Sequence, residues 1–327
     1  IPIIIFAVML ARGAPSDIRD VTITQPIIFP DAEGNRGAFD REKPTILRVD
    51  IQGVIGEEKL TAESIREQLI DSRSDLFEDD AVKGILIYVK SPGGTVTDSD
   101  GIYRAIKSYK EKYNVPVYVY VDGLCASGGM YIAAAADKVF STNVSIIGSV
   151  GVLVQFVNVS EAFEKIGIEA RTLTMGKGKD DMNPLRPWGP GEDKSFRDIS
   201  QQLYDQFVDL VVEGRPNISR EKLVNTYGAR VFSAPEALEY GFIDGIEDDI
   251  NVVLKQLVAE TDIDDDEGYN FVKLKEKHWI ADIMEMRSPL ITGKVSHEIY
   301  PFSSGAMKSG FSYLYVPGSP SAIRYSE

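Results

Sequence analysis

The chain of 327 residues is long enough for one large domain or two small ones, and its 43% hydrophobic and 26% charged residues are typical of a globular protein. A formal net charge of −15 argues against nucleic acid as a partner, because such a surface repels phosphates. The single cysteine, Cys125, excludes an intrachain disulfide and a cysteine-rich zinc site. The sequence predicts neither a metal site nor a cofactor.

The N-terminal segment, residues 1–10, is apolar apart from Pro2 and has half the length of about 20 residues that spans a bilayer. It is either the end of a membrane anchor or signal segment, or a buried first strand. We favour the anchor, and with it membrane association, because turn-forming and charged residues follow at once. Residues 11–44, rich in Pro, Gly and Asp, are predicted to be a linker with one short extended piece at 21–28.

From residue 45 onward, apolar strands alternate with amphipathic helices. The predicted strands are 46–55, 84–89, 115–121, 138–141, 151–156 and 169–174. The predicted helices are 61–72, 98–113, 126–136, 159–166, 193–213, 219–225, 234–240 and 248–259. This alternation predicts an α/β fold with βαβ units, a mainly parallel sheet and a helical C-terminal section. We divide the chain into the segment 1–44, a core at 45–260 and an irregular extension at 261–327 of unknown role.

The first candidate motif, SPGGT at 91–95, follows the buried strand predicted at 84–89 and precedes a helix. Its two glycines allow a tight turn and a close approach of a ligand to backbone N–H groups. It is either an oxyanion-binding loop, in which such N–H groups stabilise developing charge, or an ordinary strand-to-helix turn. The motif alone does not decide between the two.

The second motif, DGLCASGG at 122–129, also lies between a buried strand and a helix. Ser127, flanked by small residues, is placed like the serine of a nucleophile elbow. Alternatively, Ser127 only caps the helix. Cys125 is a weaker candidate nucleophile, because no histidine lies near it in sequence, and it fits a small buried side chain better. Together the two turns offer two converging amide donors, Gly94 and Gly128.

Histidine is a poor candidate for the base, because His278 and His297 both lie in the irregular C-terminal region, more than 150 residues past Ser127. Lysine is a known alternative base for serine. Such a lysine must be largely neutral, so its pKa must fall by about three units from about 10.4, at a cost of about 4 kcal/mol. Residues 174–180 (TMGKGKD) offer Lys177 and Lys179, and spacing does not distinguish them.

These motifs, in this order, resemble the signal peptide peptidase A family. The matching segments are SPGG at 91–94, ASGG at 126–129, SIIGSVGV at 145–152, GKGKD at 176–180, GARVF at 228–232 and ALEYGFID at 237–244. Several ordered motifs are far more specific than one, and the resemblance covers roughly residues 45–250. It implies a crotonase/Clp-like fold and a serine peptidase with a Ser/Lys dyad that cleaves remnant signal peptides at the membrane, with an extracytoplasmic catalytic domain.

The resemblance also assigns roles to single residues. The nucleophile, the general base and the residue that orients the lysine are Ser127, Lys179 and Ser149. The oxyanion donors are Gly94 and Gly128, and the residues expected to bind substrate are Gly93, Val150 and Gly151. Half-length members of the family form rings in which serine and lysine come from neighbouring protomers. A chain with a single core is therefore predicted to be a cyclic homo-oligomer.

Three residues depart from the family pattern: Lys90 stands where Asn is usual, Ile147 where Thr is usual, and Gly178 where a larger residue is usual. None is a predicted catalytic group, so the departures bear on pocket shape and specificity. Two other functions remain open. A crotonase-type acyl-thioester enzyme would share the fold and the two-amide oxyanion hole but would not need Lys179. A membrane-tethered scaffold without activity would not need the intact serine and lysine.

Overall fold

The structure is a computed structural model that describes residues 26–57, 59–77, 80–264, 268–274 and 312–314. Residues 1–10, His278 and His297 lie outside the described residues, so the expectations about them stay predictions. The strands are β1 (Pro26–Phe29), β2 (Thr45–Ile55), β3 (Val82–Thr95), β4 (Val117–Ala126), β5 (Lys138–Ser141), β6 (Ile146–Gly148), β7 (Val231–Ser233), β8 (Gly245–Ile246), β9 (Asn270–Leu274) and β10 (Ser312–Leu314). The helices are α1 (Ala62–Asp71), α2 (Val96–Tyr113), α3 (Gly128–Ala133), α4 (Ser160–Lys165), α5 (Lys194–Gly214), α6 (Arg220–Lys222), α7 (Ala234–Tyr240) and α8 (Ile250–Ala259), with a 3-10 turn at Asp75–Phe77 and a π-turn at Leu223–Tyr227.

The strands form one sheet in the order β1-β9-β2-β3-β4-β5-β8, and β6 pairs with the end of β4 and with β7. Strands β2 to β5 are parallel, joined by the crossovers β2-α1-β3 and β3-α2-β4. The predicted α/β class with βαβ units is therefore confirmed. Parallel strands place their carboxyl ends on one edge of the sheet, where β3 and β4 each lead into a helix. Both candidate motifs lie at that edge.

The central strands are apolar on both faces, because each face is covered. On one face, Val49, Ile87 and Val119 belong to the main core together with residues of α2 and α5 such as Ile106 and Phe207. On the other face, residues of β3, β4 and β5 pack against α8 in a second, smaller cluster. Within the described ranges, no helix is both long and apolar enough to cross a membrane.

Several predicted elements are wrong in extent or type. The strands expected at 151–156 and 169–174 are absent from these described stretches, apart from an isolated bridge at Leu153. After β6 the chain leaves the sheet, so the alternating apolar residues there have no strand ladder to join. The helix expected at 126–136 is shorter than predicted and spans only α3 (Gly128–Ala133), because β4 continues to Ala126. The helix expected at 219–225 is the short α6 followed by the π-turn.

The C-terminal region contributes to the sheet, contrary to the irregular structure predicted for the extension that begins at residue 261. Strand β9 pairs in parallel with β2 and antiparallel with β1. The side-chain Nδ2 of Asn270 also donates to the backbone carbonyl oxygens of Asp40 and Lys43, at 2.7 and 3.1 Å. These contacts join residues more than 220 positions apart, and local periodicity carries no information about such pairing.

Candidate active site

Ser127 lies in the turn between β4 and α3, with φ 54° and ψ −115°. A positive φ is uncommon for a residue with a side chain and costs about 1–3 kcal/mol, which the surrounding structure must offset. The turn is held by its backbone, because the Ser127 amide donates to Gly148 O at 2.9 Å and the Tyr131 amide donates to Ser127 O at 2.9 Å. The side chain makes no capping hydrogen bond. The interpretation of Ser127 as a plain helix cap is therefore wrong.

The SPGG motif lies within the end of β3 and packs directly against the Ser127 turn. A Cβ on Gly128 would lie 3.2 Å from the amide nitrogen of Gly94 and 2.4 Å from Ser99 Oγ. A Cβ on Gly94 would lie 1.9 Å from the carbonyl oxygen of Ile55. Only glycine fits at both positions, and the absence of both side chains lets the two backbone segments come together. The structure thus brings Gly94 and Gly128 together next to Ser127.

Ser91, which the sequence reasoning gave no role, organises the SPGG segment. Its buried hydroxyl donates to Gly53 O at 2.7 Å and accepts from the Gly93 amide at 3.1 Å. The first bond ties the motif to β2, and the second closes the turn in which Gly93 takes a φ of 100°. A serine two residues before a glycine is a recognised signal for such a side-chain-to-backbone turn.

Ser149 lies beside the Ser127 turn, because β6 pairs with β4 up to the Ala126–Gly148 partners. Ser149 also has a positive φ, 56°, and its amide donates to Arg230 O at 2.7 Å. Val150 is buried, and a Cβ on Gly151 would lie 2.7 Å from the Cβ of Ala229. The predicted site residues other than Lys179 therefore lie in one cluster, which we call the serine side. Their individual roles stay predictions.

Cys125 is fully buried next to this cluster, and burial raises the pKa of its thiol to about 12. The thiolate is the reactive form of cysteine. At neutral pH this side chain is therefore a protonated core residue and a poor nucleophile.

Lys179 lies in a different environment, on an exposed loop at residues 176–192 that we call the lysine loop. The loop is braced by Arg186, which donates to Glu192 Oε1 and Oε2 at 2.7 and 2.9 Å and to Asp180 O at 2.5 Å. Its Nε also donates to the carboxylate of Asp180. Asn183 Nδ2 donates to Asp180 Oδ1 at 2.6 Å. The residue directly after Lys179 is therefore fixed from two sides.

Charge pairing also affects titration within the lysine loop. Arg186, with the Gly189 amide, holds the pKa of Glu192 at about 2. Arg186 and Asn183 likewise lower the pKa of Asp180. The Lys179 and Lys177 side chains are both exposed. Among the described contacts within this chain, Lys179 makes no hydrogen bond to Ser127 or Ser149.

Residues with positive φ occur both in the cluster around Ser127 and in the lysine loop. The structure describes five non-glycine residues with positive φ, and three of them are Ser127, Ser149 and Met182 of the lysine loop. Backbone strain of this kind concentrates at functional sites, because it persists only where the surroundings impose it. Ser127 and Ser149 lie within the sequence motifs and Met182 lies two residues after one, whereas the other two, Asp80 and Asn114, lie outside them.

An α/β core with a strained serine and two adjoining glycine amides at the carboxyl ends of its strands is the arrangement of an acyl-transferring hydrolase. A family model described as peptidase family S49 matches residues 109–262, a range that contains Ser127, Ser149 and Lys179 but not Gly94. A Synechocystis sp. protein provisionally named a protease is 31% identical over 206 residues, which cover 62% of this chain and 71% of that protein. The chain belongs to peptidase family S49. The crotonase/Clp-like α/β fold expected for the family is the architecture described above.

Two further relatives are similar to this chain. An Enterococcus faecium protein provisionally named signal peptide peptidase SppA is 32% identical over 206 residues, or 62% of this chain and 59% of that protein. A provisionally named protease of Methanocaldococcus jannaschii is 35% identical over 190 residues, or 58% of this chain and 60% of that protein. The chain therefore spans about three fifths of the length of these two relatives.

Among solved structures, a ClpP1 variant from Listeria monocytogenes is 22% identical, with a TM-score of 0.41 over 64% of this chain and 94% of that one. A variant of a membrane-bound stomatin-specific protease named 1510-N is 18% identical, with a TM-score of 0.42 over 71% of this chain and 93% of that one.

Proposed function

We propose that the chain is a serine endopeptidase with Ser127 as nucleophile and Lys179 as general base. The observation that carries this proposal is the geometry of Ser127. Its hydroxyl is not used for capping, its backbone is strained, and the Gly94 and Gly128 segments adjoin it. A serine hydroxyl held in this way beside backbone amides is arranged for attack on a carbonyl.

In the proposed reaction, Ser127 Oγ attacks the carbonyl carbon of the scissile peptide and its proton passes to neutral Lys179 Nζ. The Gly94 and Gly128 N–H groups donate to the resulting oxyanion, which is worth about 3–4 kcal/mol for one such donor. When the C–N bond breaks, the Lys179 ammonium protonates the leaving amine. Water then attacks the acyl-enzyme by the same route. Ser149, adjoining the Ser127 turn, would orient the lysine.

We propose further that Lys179 acts on the Ser127 of a neighbouring protomer in a cyclic homo-oligomer. No residue from 151 to 206 is buried within its own chain. Large apolar side chains of this stretch are open to solvent, including Leu173 at 82% and Met175 at 93% exposure, three and one residues before the lysine loop. Exposed apolar surface of this kind marks interaction sites. A subunit contact there would bury the loop and desolvate the lysine, which favours its neutral form.

The proposed substrates are remnant signal peptides or other membrane-associated peptides, cleaved by a membrane-associated enzyme whose catalytic domain is extracytoplasmic. The name of the Enterococcus faecium relative, a provisional signal peptide peptidase, supports this substrate class. A mass-spectrometric profile of cut sites in a peptide library tests it. We expect cleavage within apolar stretches, and cleavage confined to charged peptides would contradict the substrate proposal.

Labelling of the intact chain with a fluorophosphonate probe tests the catalytic proposal directly. We expect the phosphonyl group on Ser127, identified by mass spectrometry of the modified peptide, and no labelling of the Ser127→Ala variant. Labelling elsewhere, or retention on immobilised coenzyme A without labelling, would contradict the peptidase assignment and favour an acyl-thioester enzyme.

A further inference from the structure

Residues 151–206, which we call the arm, carry the lysine loop and leave the core between two buried residues. Val150, after β6, is the last buried residue before the arm, and Phe207 in α5 is the first buried residue after it. No residue of the arm itself is buried within its own chain. The orientation of the arm, and with it the position of Lys179, therefore depends on how its two ends are attached to the core.

At the α5 end, the attachment uses Tyr131 of α3, whose side chain is fully buried. The Tyr131 hydroxyl donates to Asp100 Oδ1 at 2.9 Å and accepts from Gln206 Nε2 at 3.0 Å. Gln206 Nε2 also donates to Asp100 Oδ1 at 3.3 Å. The Tyr131 ring packs against Phe207, with the ring centroids 5.0 Å apart. The last residue of the arm and the buried residue that follows it thus both contact one side chain of α3.

Tyr131 is also tied to the proposed nucleophile. It lies one helical turn after Ser127, and its amide donates to Ser127 O at 2.9 Å. Its acceptor Asp100 lies in α2, the helix that follows the SPGG motif. One tyrosine therefore joins three helices, and each of them follows a part of the proposed site: α2 follows SPGG, α3 follows Ser127, and α5 follows the lysine loop.

Aromatic contacts carry the orientation of α5 to the lysine loop. Phe196, in the first turn of α5, packs against Phe156 with the ring centroids 4.7 Å apart, and Phe156 contacts Trp188 of the lysine loop at 6.4 Å. Phe196 lies about 15 Å along the helix axis from Gln206, so α5 acts as a lever. Because the lysine loop is itself braced, a change of direction where α5 meets the core would move Lys179 with the whole loop.

We infer that Tyr131 is a positioning residue that holds the arm on the core, so that a protomer presents Lys179 in the orientation required by Ser127 of its neighbour. This inference rests on the proposed function, in which Lys179 is the base and acts across protomers. The buried ring fixes how closely α5 packs, and the hydroxyl fixes the rotation of α5 through directional hydrogen bonds. Tyr131 acts through α5 and touches no reacting atom.

The Tyr131→Phe variant removes only the hydroxyl and tests this role by steady-state kinetics. We expect kcat for peptide hydrolysis to fall about tenfold and KM to change less than about twofold, because a misplaced base slows the chemical step and leaves peptide binding intact. An unchanged kcat would overturn the positioning role.

The matched control is Tyr109→Phe. Tyr109 is a buried tyrosine near the C-terminal end of α2, and its hydroxyl also has two partners, Ser72 Oγ at 2.9 Å and Arg73 Nε at 2.7 Å. This variant should lower the melting temperature about as much as Tyr131→Phe and keep kcat. Equal losses of kcat in the two variants would show a general effect of stability and overturn the inference.

A double variant tests whether Tyr131 acts through the arm. Gln206→Ala removes the arm's side of the same contact. If the two residues act through one contact, Tyr131→Phe combined with Gln206→Ala should lose no more kcat than Tyr131→Phe alone. Losses that multiply would show that Tyr131 and Gln206 act separately, which would overturn this contact as the attachment of the arm.

A distance measurement that needs no activity separates this inference from the proposed function. Spin labels are attached at Glu111→Cys in α2 and at Glu164→Cys in the arm, two exposed positions, and pulsed electron paramagnetic resonance measures the distance between them. Cys125 does not react, because burial raises the pKa of its thiol to about 12. The labelled chain is mixed with an excess of unlabelled chain, so that only distances within one chain are measured.

The Tyr131→Phe variant should broaden this distance distribution about twofold, as expected when one attachment of a lever is released, and Tyr109→Phe should leave it unchanged. An unchanged distribution in Tyr131→Phe would overturn the inference even if the enzyme is active. A distribution that broadens in a protein that hydrolyses no peptide contradicts the proposed function and still supports Tyr131 as the attachment of the arm.

Discussion

The turn that carries Ser127 is enclosed by the sheet and its helices, whereas no residue of the lysine loop is buried within its own chain. The serine side obtains its geometry from strand pairing and glycine contacts that belong to the main core. The lysine loop obtains its geometry from one arginine and two carboxylates at the surface. The serine side is thus preorganised by core packing and the lysine loop by surface ion pairs, and only the serine side is also shielded from water.

This difference has a consequence for the proposed chemistry. A lysine base needs a dry environment, and the lysine loop within one chain does not supply it. The loop does supply a fixed shape, because Arg186 joins Asp180 and Glu192 in bidentate and backbone contacts. A preformed but exposed loop is suited to dock against another protomer at little conformational cost.

The largest effect is expected for the serine side. Ser127→Ala should reduce peptide hydrolysis by about 10³-fold or more with the fold intact, because members of a catalytic unit cannot replace one another. Circular dichroism and thermal unfolding check the fold. Cys125→Ala is the matched control two residues away and should keep most activity. Equal losses in the two variants would move the nucleophile to the thiol.

On the lysine loop, Lys179→Ala should lower kcat to the same extent as Ser127→Ala, since the two members of the proposed dyad would act as a unit. Lys177→Ala, two residues earlier and equally exposed, is the matched control and should change kcat less than about threefold, as expected for a surface charge. Steady-state kinetics on one fluorogenic peptide measures both. The reverse pattern would assign the base to Lys177.

Much of the serine side was predictable from the sequence, because it depends on local signals. Continuous apolar runs predicted β3 and β4, and the small residues that follow each run, SPGG at 91–94 and SGG at 127–129, marked the two turns. The strands exceed their predicted lengths because SPGG at 91–94 and residues 122–126 remain hydrogen-bonded in the sheet. The lengths of these strands depend on their pairing partners, such as Ile147 opposite Cys125. The periodicity of the sequence does not identify such partners.

The lysine side was harder to predict, for a physical reason. Residues 151–156 and 169–174 have the alternating pattern of strands, yet they lie on the surface. An alternating apolar pattern indicates that one face of a segment is buried, but it does not identify the surface that covers this face. In the proposed oligomer, that surface belongs to another protomer. Strands β9 and β10 escaped prediction for a related reason: they are short, and they are specified by distant partners.

Complementation by mixing tests whether the two sides meet across protomers. Inactive Ser127→Ala and inactive Lys179→Ala proteins, mixed in equal amounts with subunit exchange, should recover about a quarter of wild-type activity. In a head-to-tail ring, a quarter of random interfaces join an intact serine to an intact lysine. Exchange is verified by native mass spectrometry of differently tagged chains. No recovery despite exchange would mean that the dyad forms within one chain.

The smallest effect is expected for Arg186, which we place as a positioning residue for Lys179. Arg186→Ala should lower kcat about tenfold with little change in KM, because a misplaced base slows the chemical step and leaves peptide binding intact. Arg186→Lys should recover only part of this loss, since an ammonium cannot reproduce the bidentate contacts to Glu192. Arg197→Ala, which breaks an exposed ion pair with Asp193 at the start of α5, is the matched control. It should change kcat less than about twofold.

A pH titration distinguishes this positioning role from general instability. The folded-state pKa of Glu192 is about 2, below its ordinary 4.5, so its contribution to loop order is complete above pH 4.5 and is lost as the pH falls from 4.5 to about 2. Trp188 reports on the loop, because its Nε1 donates to Asn183 O at 2.8 Å, and Trp279→Phe leaves it as the only tryptophan. Its fluorescence should change within this window, and Arg186→Ala should move the midpoint up towards 4.5. An unchanged midpoint in Arg186→Ala would show that the arginine does not hold the loop, and the expected loss of kcat would then need another cause.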